Sequence, residues 1–283
     1  MSPQKIASIV MLVSLMLSAG MEINREHLIA ALKDFGLIGR ALLANFVLVP
    51  LFGVGLARLF HLEGDIAVGF LLMAIAPGVP FLVRAAGRQP GGSLGLAAAL
   101  AFIMPALSII TIPLTAPLVL PPDADAHVPG LQLAMTLILF QLVPLLIGLA
   151  IADRAPALAE KLKRPLTLLF FVAIAALLVL IGPALIKAVS SVYGTHALLA
   201  MLVIVLLCVA SGWIFGGPQD ANRRTLSIAT ALRNIGTCAV IATASFADTL
   251  VGPTVLTYFL VQFILTIILR IYFGRTAAPA APA

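Results

Sequence analysis

A chain of 283 residues that is 62% hydrophobic and only 10% charged, with a mean hydropathy of +1.16, is excluded from the class of soluble domains. Its net charge of +6 would suit nucleic acid, but the basic residues flank apolar runs in short loops, a topology signal, and no nucleic-acid partner is expected. Cys208 and Cys238 lie in apolar segments with no CxxC and no neighbouring histidine, so inert buried thiols are expected in place of a disulfide or a metal site.

Apolar runs close to the ~20 residues that cross a bilayer recur along the chain. Nine spans are predicted, at about 5–22, 36–60, 64–83, 93–120, 128–153, 165–188, 196–217, 222–247 and 250–273, all in one polytopic domain, 1–283. The first begins almost at Met1, but no cleavage site followed by a polar region appears, so it reads as a retained helix. Residues 274–283, with the run TAAPAAPA, read as a disordered tail. One end of the spans gathers Arg25, Lys33, Arg88, Arg154, Lys161, Lys163, Arg164, Arg223, Arg224 and Arg275, against Lys5, Arg58 and Lys187 at the other. The rule that basic loops stay inside predicts an inner (cell) membrane protein with its N-terminus outside and its C-terminus cytoplasmic.

Two spans differ from the rest. In GDIAVGFLLMAIAPGVPFLVRAAGR, Pro77, Gly78 and Pro80 interrupt the run, and continuous helix is not expected. In RRTLSIATALRNIGTCAV the matching break falls at Arg233, Asn234 and Gly236. Pro77 and Asn234 lie at nearly the same distance from the starts of the first and sixth spans. That spacing suggests inverted repeats, 5–120 and 165–273, joined by 128–153 as connector. Irregular backbone at membrane depth must be buried in protein or line a cavity, and paired breaks in inverted repeats mark a transporter's midplane site.

The segments LMLSAGMEINREHL, EGDIAVGFLLMAIAPG and RRTLSIATALRN, in that order and spacing, resemble the bile acid:sodium symporter family over nearly the whole chain. The resemblance implies an all-α membrane fold in which two broken helices cross within a core domain of spans two, three, four, seven, eight and nine. A panel domain would hold spans one, five and six. It also implies secondary transport of organic anions, without a cofactor and without enzymatic chemistry. The residues agree on the last point, since no nucleophile with a base, metal cluster or carboxylate pair appears in the spans.

The family's sodium ligands are mostly missing. Where the family carries Ser and Asn after the first break, this chain has Leu82 and Val83; hydroxyl positions on the next helix fall on Ala101 and Pro105; a Glu and a Gln of the second break become Ala229 and Arg233. Asn234 is shared, and Asn45, in ANFVLVP, stands where the family has a glutamine. No Asp or Glu lies in mid-span, because Asp65, Asp153 and Asp248 are close to predicted ends. No acid is therefore expected to hold sodium or relay a proton. An arginine at the bilayer centre costs on the order of 2.5–3.5 kcal/mol, so Arg233 should face protein or a cavity. It could anchor an anionic substrate through its forked donors, stand in for the missing cation beside Asn234, or snorkel toward Arg224. Arg84 either ends its half-helix at the cytoplasmic face, the favoured reading, or faces the cavity. Arg40 and Arg270 read as interfacial. The substrate-binding candidates are Arg233, Asn234, Thr230, Asn45, Pro77, Gly78, Pro80 and Arg84. The expected function is transport of a small carboxylate or sulfonate, with sodium not expected at the usual positions. The alternatives are a non-transporting membrane sensor of the same fold, or an arsenite- or auxin-type carrier, the former drawing on Cys238.

Overall fold

A computed structural model describes residues 1–78, 81–121 and 130–276, with 183–194 described by their backbone alone. The described chain is all helix, without a strand, as a bilayer requires of a chain that must satisfy its own backbone groups. The first helices are α1 (Pro3–Glu22), α2 (Arg25–Leu32), α3 (Phe35–Leu43) and α4 (Val49–Leu59). Side-chain oxygens of Ser2, Asn24 and Asp34 accept amide hydrogens in the first turns of α1, α2 and α3. A π-helical turn, Ala44–Leu48, joins α3 to α4. The half-helix α5 (Gly64–Ile75) is followed by a second π-turn, Val83–Gly87, and by α6 (Leu94–Val119).

Next come α7 (Gly130–Leu137), a third π-turn at Ile138–Leu142, and α8 (Val143–Arg154). Both the first and third π-turns run into a Val-Pro pair, at Pro50 and Pro144. The Val49 and Val143 amides reach five residues back, to Ala44 and Ile138, where the proline to come cannot continue the ladder. The second half holds α9 (Pro156–Gly194), α10 (Ala197–Phe215), the half-helices α11 (Asp220–Ala231) and α12 (Ile235–Ser245), and α13 (Val251–Thr276).

Among the described residues seven stretches are long and apolar enough to span a membrane, and Gly64–Ile75 and Ile235–Ser245 are shorter apolar helices. Two boundaries differ from expectation. The sixth span begins at Pro156, not near 165, because the polar turn EKLKRP stays helical, with Lys163 paired to Glu160 one turn earlier. The last helix runs to Thr276, where Arg224 donates to the carbonyls of Phe273 (2.5 Å) and Thr276 (3.0 Å), satisfying carbonyls that a helix end leaves bare. Residues 277–283 of the expected tail lie outside the described residues, as do 128 and 129 of the connector.

Helix α1 packs along α8 and α9, while α10 packs on α11 and α13 on α5. The α1–α8 approach is backbone on backbone: a Cβ on Gly20 would fall 2.1 Å from the Leu145 carbonyl oxygen, and one on Gly148 2.2 Å from that of Leu17. Small residues permit such contact in lipid, where dispersion rather than water drives helices together. The outer faces of α6 and α9 expose Leu114, Leu118, Leu168 and Val179, as surfaces that meet acyl chains do.

Candidate functional site

Helix α5 stops at Ile75, and four carbonyls around its end have lost their ladder partners. The second broken segment supplies the donors. Cys238 Sγ reaches the Leu72 carbonyl (3.4 Å), Arg233 Nε that of Met73 (3.1 Å), Arg233 Nη2 that of Ala74 (2.6 Å), and the Asn234 amide that of Ala76 (3.0 Å). Pro77 and Arg233 meet as an isolated antiparallel bridge. The two broken helices thus cross at a point where each completes the other. The guanidinium faces the negative end of a helix dipole, a favourable place for a cation.

The remaining fork of Arg233 goes to Asn45, whose Oδ1 accepts from Nη1 at 3.0 Å. Asn45 in turn donates to the Ala41 carbonyl (3.0 Å) and the Thr230 hydroxyl (3.2 Å). The Arg233 backbone is clamped by Gln262, which accepts from its amide at 2.9 Å and donates to its carbonyl at 3.2 Å. Arg233 is 1% exposed. Its guanidinium does not snorkel; each of its three nitrogens has a protein acceptor. Asn234 caps α12 through the Thr237 amide (3.2 Å) and donates to Gln141 Oε1 (3.3 Å), which also accepts from the Thr237 hydroxyl. Gln141 Nε2 reaches the Pro105 carbonyl (2.6 Å) and Ser108 Oγ (2.8 Å). Gly78 has a φ of +93°, and a Cβ there would lie 2.7 Å from that of Met104; only glycine fits both demands. Pro80 lies outside the described residues.

The positions that the family resemblance aligns with sodium ligands are buried and packed. Leu82, Val83, Ala101 and Ala229 belong to one buried apolar cluster, and Pro105 is buried inside α6. A hard monovalent cation needs several oxygen ligands. Five of these six aligned positions carry hydrocarbon and the sixth a guanidinium, so their side chains offer a cation no oxygen. Cys238 is fully buried against Leu72, a packed thiol with no free face for a metalloid.

Glu22, the last residue of α1 and so at the end of its span, has its side chain 1% exposed and Oε1 2.5 Å from Arg84 Nε. Arg84 sits in the π-turn Val83–Gly87, donates to the Thr167 hydroxyl at 2.8 Å, and lines a cavity of about 260 Å³ between α1, α9 and α13. Arg270, read as interfacial, lines the same cavity together with Phe81, Phe170 and Phe263. Sequence reasoning missed Gln141 and Gln262, although each is a lone amide in an apolar run and FQLVP echoes ANFVLVP.

The model of the sodium bile acid symporter family matches residues 9–211. A probable sodium/metabolite cotransporter BASS3, chloroplastic, of Oryza sativa subsp. japonica is 24% identical over 237 residues, covering 81% of this chain and 55% of that relative. The chain therefore spans about half the length of the curated relative. A family match over most of the sequence joins a crossing point built from two interrupted helices, and on these grounds the chain belongs to the sodium bile acid symporter family.

Proposed function

We propose that the protein is a secondary transporter of small organic anions, carboxylates or sulfonates, that works by alternating access and without sodium at the family's usual sites. The observation that carries this reading is the Arg233 guanidinium, which donates to the Met73 and Ala74 carbonyls and to Asn45. A permanent cation holds the first half-helix where a bound ion would otherwise neutralise its end. Between the two functional roles open to Arg233, the ion surrogate is favoured over the substrate anchor, because every nitrogen is engaged by protein.

Substrate is then left to the cavity beside Arg84 and Arg270, whose aromatic walls suit an apolar body and whose guanidinium suits an acid group. Grouping α1, α8 and α9 as the panel, against a core of the remaining spans, places this cavity on the sliding boundary. In this reading nine crossings are arranged as inverted repeats, and the basic end of the spans faces the cytoplasm. The name of the rice relative pairs sodium with a metabolite; the metabolite half is carried over to this chain, while the donor set speaks against the sodium half.

A thermal-shift screen of small carboxylates and sulfonates, run in sodium and in choline salts, tests the reading. The expected result is stabilisation by one ligand class, equal in both salts. Saturable stabilisation by sodium alone would overturn the ion-surrogate role. The anchor role predicts that Arg233→Gln keeps the ligand-free melting temperature and loses ligand; the surrogate role predicts a lower melting temperature before any ligand is added.

A further inference from the structure

The Glu22–Arg84 pair stands apart from the crossing point and divides two cavities. On one side is the apolar cavity of about 260 Å³, with Arg84, Arg270, Phe81 and Phe170 in its wall. On the other is a polar vestibule of about 330 Å³ at the basic end of the spans, with Arg25, Arg88, Asp153 and Lys163 in its wall. Glu22 belongs to both walls. Its Oε1 is paired with Arg84, but its Oε2 is buried and has no hydrogen-bond partner among the described residues. Arg84 is the more open partner, with 35% of its side chain exposed.

The charges that face Glu22 come from several elements. Lys163 of α9 is paired with Glu160 of the same helix, and Arg25 of α2 with Asp153 of α8. Glu26 of α2, Arg88 after the π-turn and Arg270 of α13 complete the set. Among the described residues, the ion pair that Glu22 makes is with Arg84 alone. An anion arriving in the apolar cavity, which Arg84 and Arg270 both line, competes with Glu22 for Arg84. A second carboxylate brought beside Glu22 in a poorly solvated site disfavours its charged form.

We infer that Glu22 is the proton-coupling group of this transporter, exchanging its hold on Arg84 for a proton when a small monocarboxylate binds. The step rests on the organic-anion reading above. A substrate carboxylate, the Glu22 carboxylate and one proton from vestibule water become a substrate–Arg84 ion pair and a neutral Glu22 carboxylic acid. No bond of the substrate changes, and the net charge of the site is the same before and after. The bare Oε2 is the atom that receives the proton. One monoanion thus moves with one proton, and the proton gradient takes the place of the sodium gradient that the packed sites cannot use. The cavity lies below the ~300–1,000 Å³ of sites for drug-sized ligands, so the substrate class is a compact acid with an aromatic or branched apolar body.

Isothermal titration of the full-length protein with benzoate and a set of other small monocarboxylates, repeated in buffers of different ionisation enthalpy, counts the protons exchanged on binding. The expected result is close to one proton taken up per anion, with affinity falling by about tenfold per pH unit on the alkaline limb. Glu22→Gln, which presents a neutral side chain to Arg84, is expected to bind with no proton uptake and no such pH dependence. Glu22→Asp is expected to restore the uptake. A purely structural role for Glu22 would lower the melting temperature of Glu22→Gln and leave its proton count at one. Binding without proton uptake by the unmodified protein, or unchanged uptake in Glu22→Gln, overturns the coupling and leaves the anion reading standing. Failure of every monocarboxylate to bind overturns the anion reading itself, and the coupling with it.

Discussion

Arg233 and Arg84 each follow a break in an apolar helix, and each is held by oxygen atoms, but the two are held in opposite ways. Arg233 is 1% exposed and its guanidinium is met by two backbone carbonyls and the Asn45 amide oxygen. These acceptors belong to helices that cannot leave without unfolding the crossing point. Arg84 is one-third exposed to a cavity and is held by a side-chain carboxylate and a hydroxyl from α1 and α9. Those partners can be exchanged. A cation bound by backbone becomes part of the fold, and a cation bound by a titratable side chain stays available to a ligand.

The sharpest way to break this contrast is Arg233→Met. It bares the Met73 and Ala74 carbonyls and Asn45 Oδ1, and each buried acceptor left unpaired costs about 1–3 kcal/mol. A large fall in the ligand-free melting temperature is expected, and an unchanged one would show that Arg233 is not structural. Gly78→Ala comes next: a Cβ 2.7 Å from that of Met104, at a φ of +93°, is expected to cost about 1–3 kcal/mol through overpacking and strain, read by thermal unfolding. The smallest effect on stability is expected from the double variant Glu22→Gln with Arg84→Gln. Exchanging a whole buried ion pair for neutral groups is often close to neutral, within about 1 kcal/mol. The same variant is expected to lose monocarboxylate binding in titration calorimetry, and retained binding would move the substrate site elsewhere.

These expectations track what the amino-acid sequence reveals and what it hides. The breaks at Pro77 and at Arg233–Asn234 were legible because proline and charge are costly in a bilayer wherever their neighbours are. The apolar character of Leu82, Val83, Ala101 and Ala229, all four packed in one buried cluster, was legible too. Glu22 was not. Position along a span says how deep a residue lies, but burial at a span's end depends on which helices cover it, and here α9 and the π-turn after the first break do so. Gln141 and Gln262 left a trace as lone amides in apolar runs, but their partners at Asn234 and Arg233 lie 93 and 29 residues away in sequence. The early start of α9 at Pro156 was hidden because a polar, proline-bearing turn reads as a loop when the helix that contains it extends past the apolar region.

The claim that a fixed guanidinium has taken the place of a coupling sodium is tested most directly by initial uptake rates in proteoliposomes. The substrate would be the carboxylate that best stabilises the protein, and external sodium would be replaced stepwise by choline at constant ionic strength. Equal rates at all sodium concentrations are predicted. Uptake that vanishes without sodium and saturates as sodium is restored would contradict the account.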